Sequence, residues 1–168
     1  MKIKRREFLL FSSIVTLSTY LDAETFSKFE KAFKEVENII YEVQKHMFPT
    51  KSLLPSAMSL PVTRFVFETM IHKSFDKDIR IFVIEGAQEL KDRTKGEFTS
   101  LSMQDKEKAL RAYEETDYGS AWLSRIMTLT MEGMFSDPIY GTNIKKQGWK
   151  TLDTVGGEPR PSTRYLNV

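Results

Sequence analysis

The chain has 168 residues, room for one domain with a real buried core. Its 25 lysines and arginines nearly balance 23 acidic residues, a formal net charge of +2, so no basic field marks it for nucleic acid. There is no cysteine, which excludes disulfides, thiolate metal sites, haem attached through Cys-x-x-Cys-His and cysteine-ligated iron–sulfur clusters.

Residues 1–22 read as a targeting segment. Lys2, Lys4, Arg5 and Arg6 form a basic start, and the apolar run from Phe8 to Leu21 follows. That run is too short, and too rich in Ser and Thr, for a transmembrane helix of about 20 apolar residues. Arg5 and Arg6 before Glu7, Phe8 and Leu9 resemble a twin-arginine motif, an address for exporting folded proteins. Lys4 and Leu10 depart from the usual flanks, and no Ala-x-Ala cleavage site follows. The competing reading is a basic amphipathic arm that touches a membrane.

The remainder, 23–168, reads as one helical domain. Phe26, Phe29, Phe33, Val36, Ile40, Val43 and Met47 recur in steps of three and four, an apolar stripe along a helix from Ala23 to Phe48 that Pro49 ends. The three phenylalanines suit the domain's own core, with a partner helix as the alternative. Residues 49–61 hold three prolines and form a loop. Pro61 suits the first turn of a second helix, with Val62, Phe65, Val66, Thr69 and Met70 on it. Asp76 caps a third, on which Ile79, Phe82, Val83, Gly86 and Leu90 share a face; Gly86 marks close helix packing, and Gly96 ends the segment. Ser102 and Asp105 resemble a capping box for a shorter fourth helix carrying Met103, Leu110 and Tyr113. Asp117-Tyr118-Gly119 separates it from the last helix, where Trp122, Ile126, Leu129 and Gly133 form the stripe. No strand alternation or internal repeat interrupts the pattern. The expected fold is all-α, a single-domain bundle of about five helices with a long irregular C-terminal segment.

The stretch from Gly133 to Trp149 breaks the helical pattern. The last helix ends at Asp137-Pro138, where proline forces a turn. Beyond it, Phe135, Tyr140 and Trp149 alternate with Gly141 and Gly148, which admit backbone geometry closed to other residues. Aromatic side chains on an irregular loop mark either a recognition surface or a lid folded onto the protein's own core. Asp137, before proline and heading a turn, suits bonding to backbone amides.

Gly133, Phe135, Asp137, Pro138, Tyr140, Gly141, Asn143, Gly148 and Trp149 fall where the gluconate 2-dehydrogenase subunit 3 family has its signature, Gly-x-Phe-x-Asp-Pro-x-Tyr-Gly-Gly-Asn and then Gly-Trp. Thr142 replaces the second glycine of that pattern, and Val155-Gly156-Gly157 stands near the place of a missing Gly-Phe-Pro-Gly. The resemblance implies the small, non-catalytic subunit of an exported, membrane-associated dehydrogenase for sugars or sugar acids. It implies that FAD resides on a large partner subunit, that a multihaem cytochrome c subunit often accompanies the pair, and that this chain binds no cofactor. It also implies that the signal segment here exports the pair to the periplasm. Trp122, Phe135, Asp137, Pro138, Tyr140, Gly141, Asn143, Gly148 and Trp149 are the expected contact residues for the large subunit. The alternative function is a free-standing exported helical protein whose aromatic loop closes over a small ligand.

The residues themselves offer no catalytic constellation. His46 and His72 lie on separate helices without carboxylates at ligand spacing. Glu85 and Glu89 sit one turn apart, as carboxylates commonly do on solvated faces. No Glu-x-x-His supports a diiron bundle, and Gly156-Gly157 opens no helix that would hold phosphate.

Overall fold

The computed structural model describes residues 23–164, with side chains from Lys28 onward; the signal motif and the Phe26 side chain lie outside what is described. The described chain forms six α-helices and no strand: α1 (Ala23–Met47), α2 (Val62–Ile71), α3 (Lys77–Arg93), α4 (Met103–Glu114), α5 (Asp117–Phe135) and a short α6 (Gln147–Thr151). The fold is all-α, as the periodicity predicts.

Helix α5 packs against all five other described helices and is the axis of the bundle. Its stripe, Trp122, Ile126 and Leu129, is enclosed by Phe33, Val36, Ile40 and Val43 of α1, Val66 and Met70 of α2, and Val83 and Leu90 of α3. Gly86 explains the closeness of α3. A Cβ there would overlap the Trp122 indole, so the missing side chain is a notch into which the ring fits. In the notch the indole Nε1–H donates to Val83 O at 2.9 Å, and the Tyr113 hydroxyl donates to Gly86 O at 3.1 Å. Both ring donors are thereby satisfied inside the core.

Two polar connections fix how α1 sits on its neighbours. Gln44, fully buried, donates through Nε2 to Thr130 Oγ1 at 2.9 Å and accepts from the Thr63 hydroxyl at 2.5 Å, joining α1, α5 and α2. On the opposite side, Lys106 of α4 reaches Glu42 at 2.6 Å, with Lys45 on the other carboxylate oxygen. Burial raises the Glu42 pKa, but the hydrogen bonds from Lys106 and Lys45 outweigh it and the net shift is downward.

Predicted caps form where the sequence places them. The Asp76 carboxylate accepts from the amides of Asp78 and Ile79, and Ser102 accepts from the amide of Asp105. Gly96 leaves α3 at φ +83. The fourth helix carries Met103, Leu110 and Tyr113 as expected; its inner face runs through Lys106, Leu110 and Tyr113, and Met103 is exposed. One expectation needs correction. Asp117-Tyr118-Gly119 is no separator but the first turn of α5, capped by Thr116, whose hydroxyl oxygen accepts from the Gly119 amide at 3.0 Å. Gly119 suits that place because a side chain there would strike the Tyr113 carbonyl. The proline-rich connection 49–61 is anchored, since Phe48, Ala57 and Leu60 form a second small core with Val62 of α2 and Met134 at the end of α5.

Gly86→Ala places a methyl group inside the Trp122 ring. The substitution is expected to cost about 2 kcal/mol of overpacking, beyond the helix propensity it gains. Urea unfolding of the purified protein measures the loss; an unchanged midpoint would show that α3 and α5 are not locked by this notch.

Candidate functional site

An α-helix ends with carbonyl groups that have no partner within the helix, and something must satisfy them if the end is buried. Helix α5 solves this with the loop that follows it. Ser136 donates through Oγ to Gly133 O at 3.0 Å, Asn143 donates through Nδ2 to Ser136 O at 3.0 Å, and the Trp149 indole donates to Phe135 O at 2.8 Å. Asn143 also accepts from the Gly148 amide at 2.8 Å, closing the loop on itself. Gly148 lies so close that a Cβ would overlap Met134 O, and Gly133 gives its space to the Phe65 ring. Gly148 is required for close approach, not for an unusual φ.

Between these fastenings the chain turns sharply. Asp137 accepts from the Ile139 amide at 2.9 Å and heads a single 3-10 turn, Pro138–Tyr140, which ends at Gly141 with φ +83. Thr142 is buried with its hydroxyl 3.0 Å from Ser136 Oγ, so the residue that departs from the family pattern is built into the same network. Lys145 and Lys146 then take left-handed φ values of 55 and 60, an unusual pair for residues with side chains.

The tail crosses back over this knot. Arg160 forms a two-pronged ion pair with Asp137, Nε to Oδ2 at 2.7 Å and Nη2 to Oδ1 at 2.8 Å. Its guanidinium lies 4.9 Å from the centre of the Trp149 ring. Gly156 presses on the same indole. Arg164 reaches Glu68 of α2 at 2.9 Å and the Tyr140 carbonyl at 3.0 Å. Sequence reasoning missed Arg160, Arg164 and Glu68, because partners 23 and 96 residues apart leave no local pattern.

The nine expected contact residues therefore separate into two sets. Trp122 is fully buried in the centre of the bundle, which corrects its expected share in a docking face. Asn143, Gly148 and Trp149 also point inward, and for these three the loop is a lid on the chain's own helix. Phe135, Asp137, Pro138 and Tyr140 are half-buried and Gly141 is exposed, so this set reaches the surface. The sequence did not single out the neighbouring outward face of α5. The exposed residues there from Ser120 to Met131, namely Ser120, Ala121, Ser124, Met127, Thr128 and Met131, are uncharged, with half-buried Arg125 and exposed Glu132 at the border of the strip. Of the histidines, His46 pairs with Glu107 at 2.5 Å and His72 bonds Ser74 at 2.7 Å. Among the described residues no group of three or more His, Asp or Glu side chains is placed to hold a metal ion.

Replacing Asn143 by Ala removes the side chain that ties Ser136 O to the Gly148 amide in a buried place. A loss of about 2–3 kcal/mol is expected, with helical circular dichroism retained at low temperature and Trp149 emission shifted to the red. The Asp137–Arg160 pair predicts a specific pH response. The hydrogen bonds from Arg160 hold the Asp137 carboxyl below its ordinary value of 3.8, against the opposing effect of enclosure and helped by the Ile139 amide. The folded-state pKa is thus depressed, so the pair's contribution is complete above the ordinary value and disappears as pH falls through the depressed one. Acrylamide quenching of Trp149 should stay flat from about pH 8 to about pH 5 and rise only below about pH 4; a rise near neutrality would contradict the clasp.

The model of the family described as gluconate 2-dehydrogenase subunit 3 matches residues 21–157. That span takes in all six helices and the knot, including every position of the Gly133–Trp149 pattern. No curated protein and no solved structure matches the chain. With a match over most of its length, and with the pattern residues closing the end of its central helix, the chain belongs to the gluconate 2-dehydrogenase subunit 3 family.

Proposed function

We propose that this chain is the non-catalytic small subunit of an exported, FAD-dependent sugar or sugar-acid dehydrogenase, and that it binds and stabilises the large flavoprotein subunit. Membership of a family described as a dehydrogenase subunit carries the reading. In it, FAD belongs to the large subunit, and a multihaem cytochrome c subunit is a further partner that links the pair to the membrane. The twin-arginine-like segment, with Arg5, Arg6, Phe8 and Leu9, directs the assembled pair to the periplasm. A flavoprotein loaded with cofactor must fold before export, so one address serves both chains only if they bind first. Among the described residues no helix is long and apolar enough to cross a membrane, and attachment is assigned to the complex.

The docking face is the surface where the Met127 and Met131 strip of α5, bordered by Glu132, meets the knot at Phe135, Pro138 and Tyr140. Interface cores are depleted in charge and enriched in Met and aromatic residues, which this strip matches. It is also rigid, because buried bonds hold the end of α5 and the loop beyond it, so little order has to be gained on binding.

Affinity capture of the tagged chain from its host's periplasmic and membrane fractions tests the reading. A larger partner in equal amount, with flavin absorbance, is the expected result. Tyr140→Ala, or Met127→Glu with Met131→Glu, should weaken that association by a factor of roughly 10 or more, while leaving helical content unchanged. Recovery of a lone chain in good yield without flavin would overturn the assignment.

A further inference from the structure

The tail from Asp153 to Thr163 touches down at few places. Between Asp153 and Arg164 every residue is exposed except Gly156, Arg160 and Arg164. Val155 is 85% exposed, and Leu152 just before the tail is 53% exposed, so the strap contributes little apolar burial. Its start is held by the Asp153 and Thr154 amides donating to Lys150 O and Trp149 O and by Gly156 against the Trp149 ring; farther on, ion pairs hold it, Arg160 on Asp137 and Arg164 on Glu68. Both carboxylates are largely enclosed, but the Arg160 and Arg164 side chains remain 31% and 34% exposed, so water and a competing cation can reach the pairs.

The place that Arg160 occupies is well formed. The Asp137 side chain is 12% exposed and offers both oxygens in one plane, at 2.7 and 2.8 Å from the guanidinium. The Trp149 ring provides an aromatic face at 4.9 Å, itself fixed by the indole bond to Phe135 O. A planar two-oxygen acceptor beside an indole face is the chemistry that recognises a guanidinium in preference to an ammonium ion. Lys146 also lies near that ring, with Nζ 5.9 Å from its centre, and the Arg160 amide donates to Glu158 at 3.2 Å. Asp137 and Trp149 lie inside the stretch matched by the family model, which ends at residue 157; Arg160 lies beyond it.

We propose that Asp137 and the Trp149 indole form an arginine-receiving site, which the chain's own Arg160 plugs in the free subunit and an arginine of the large dehydrogenase subunit fills in the complex. The second half rests on the functional reading above. The site adjoins the proposed docking strip, since Asp137 lies between Phe135 and Pro138. Docking displaces the strap at Arg160, so the tail weakens association of the free subunit until a matching partner arginine competes for the same carboxylate. An exchange of this kind gives specificity by difference, because a partner without the arginine leaves the plug in place.

R160Q, D137N/R160Q and R160K test the proposal in the full chain. Folding is checked by circular dichroism, and R160K keeps a positive charge while losing the two-pronged geometry. The first measurement is titration with L-argininamide, and with L-lysinamide as control, followed by tryptophan fluorescence. R160Q should bind argininamide at millimolar concentration at least three-fold better than the unchanged chain, and better than it binds lysinamide. D137N/R160Q should lose that binding, and R160K should fall between. The second measurement is affinity for the purified, flavin-loaded large subunit: R160Q is expected to bind at least three-fold more tightly than the unchanged chain, and D137N more weakly. No gain of argininamide binding in R160Q overturns the receiving site. A gain there without tighter binding of the flavoprotein overturns the partner arginine. Concentration-dependent dimers of the unchanged chain that R160Q abolishes would assign the site to tail exchange between two copies, and so overturn it too. Failure of the functional reading looks different: no variant, and not the unchanged chain either, retains the flavoprotein, while R160Q still binds argininamide and supports the site.

Discussion

The insertion of Trp122 into the notch at Gly86 is the contact on which the bundle depends. It brings α3 against α5 more closely than side chains on both helices would allow, and it satisfies the indole donor at Val83 O. Tyr113 closes the same place from α4 through its bond to Gly86 O. Three helices are thereby fixed around one ring. Because α5 also meets α1, α2 and α6, its position sets that of every other described helix. The buried bonds of Gln44 to Thr130 and Thr63 then select one register for α1 and α2, since sliding either helix would leave buried polar atoms without partners.

The same helix explains the signature that follows it. A glycine in a left-handed turn, a Gly-Trp pair and an asparagine between them look on paper like a binding loop. In three dimensions most of them finish α5. Asn143 and Trp149 supply donors to carbonyls that the helix leaves open, and Gly148 lets the returning chain approach Met134 O. The motif is thus a capping device first. Its consequence for function is indirect but physical: once the inward residues hold the loop, Phe135, Pro138 and Tyr140 are presented on a rigid ledge beside the uncharged side of α5. A flexible loop with the same aromatic residues would lose more conformational freedom on binding, and would bind less tightly for the same contacts.

Charge plays a different part at each end of the molecule. Lys106 and Glu42 join α4 to α1 in a largely enclosed setting, where the loss of either partner would strand the other. The pairs of Arg160 and Arg164 hold an exposed strap to the knot, where water and salt compete with them. The first kind of pair joins two helices of the bundle, and the second ties the tail to the loop and to α2.

Much of the fold was legible in the sequence because helices write their buried face into local spacing. The stripes of α1, α3 and α5, the caps at Asp76 and Ser102, the glycine exit at Gly96 and the close packing at Gly86 follow from residues within a few positions of one another. Spacing took Asp117-Tyr118-Gly119 for a break, because a helical glycine and a linker glycine look alike until the Tyr113 carbonyl is in view. The aromatic signature identified where the chain was unusual and which family it resembles. Only the tertiary structure decided that Trp122, Asn143 and Trp149 face inward while Phe135, Pro138 and Tyr140 stay half-buried, and that Arg160 closes over Asp137. These are outcomes of which atoms meet across tens of residues. Local composition fixes a side chain's chemistry, but the donors, acceptors and rings it meets are set by the packing of the whole.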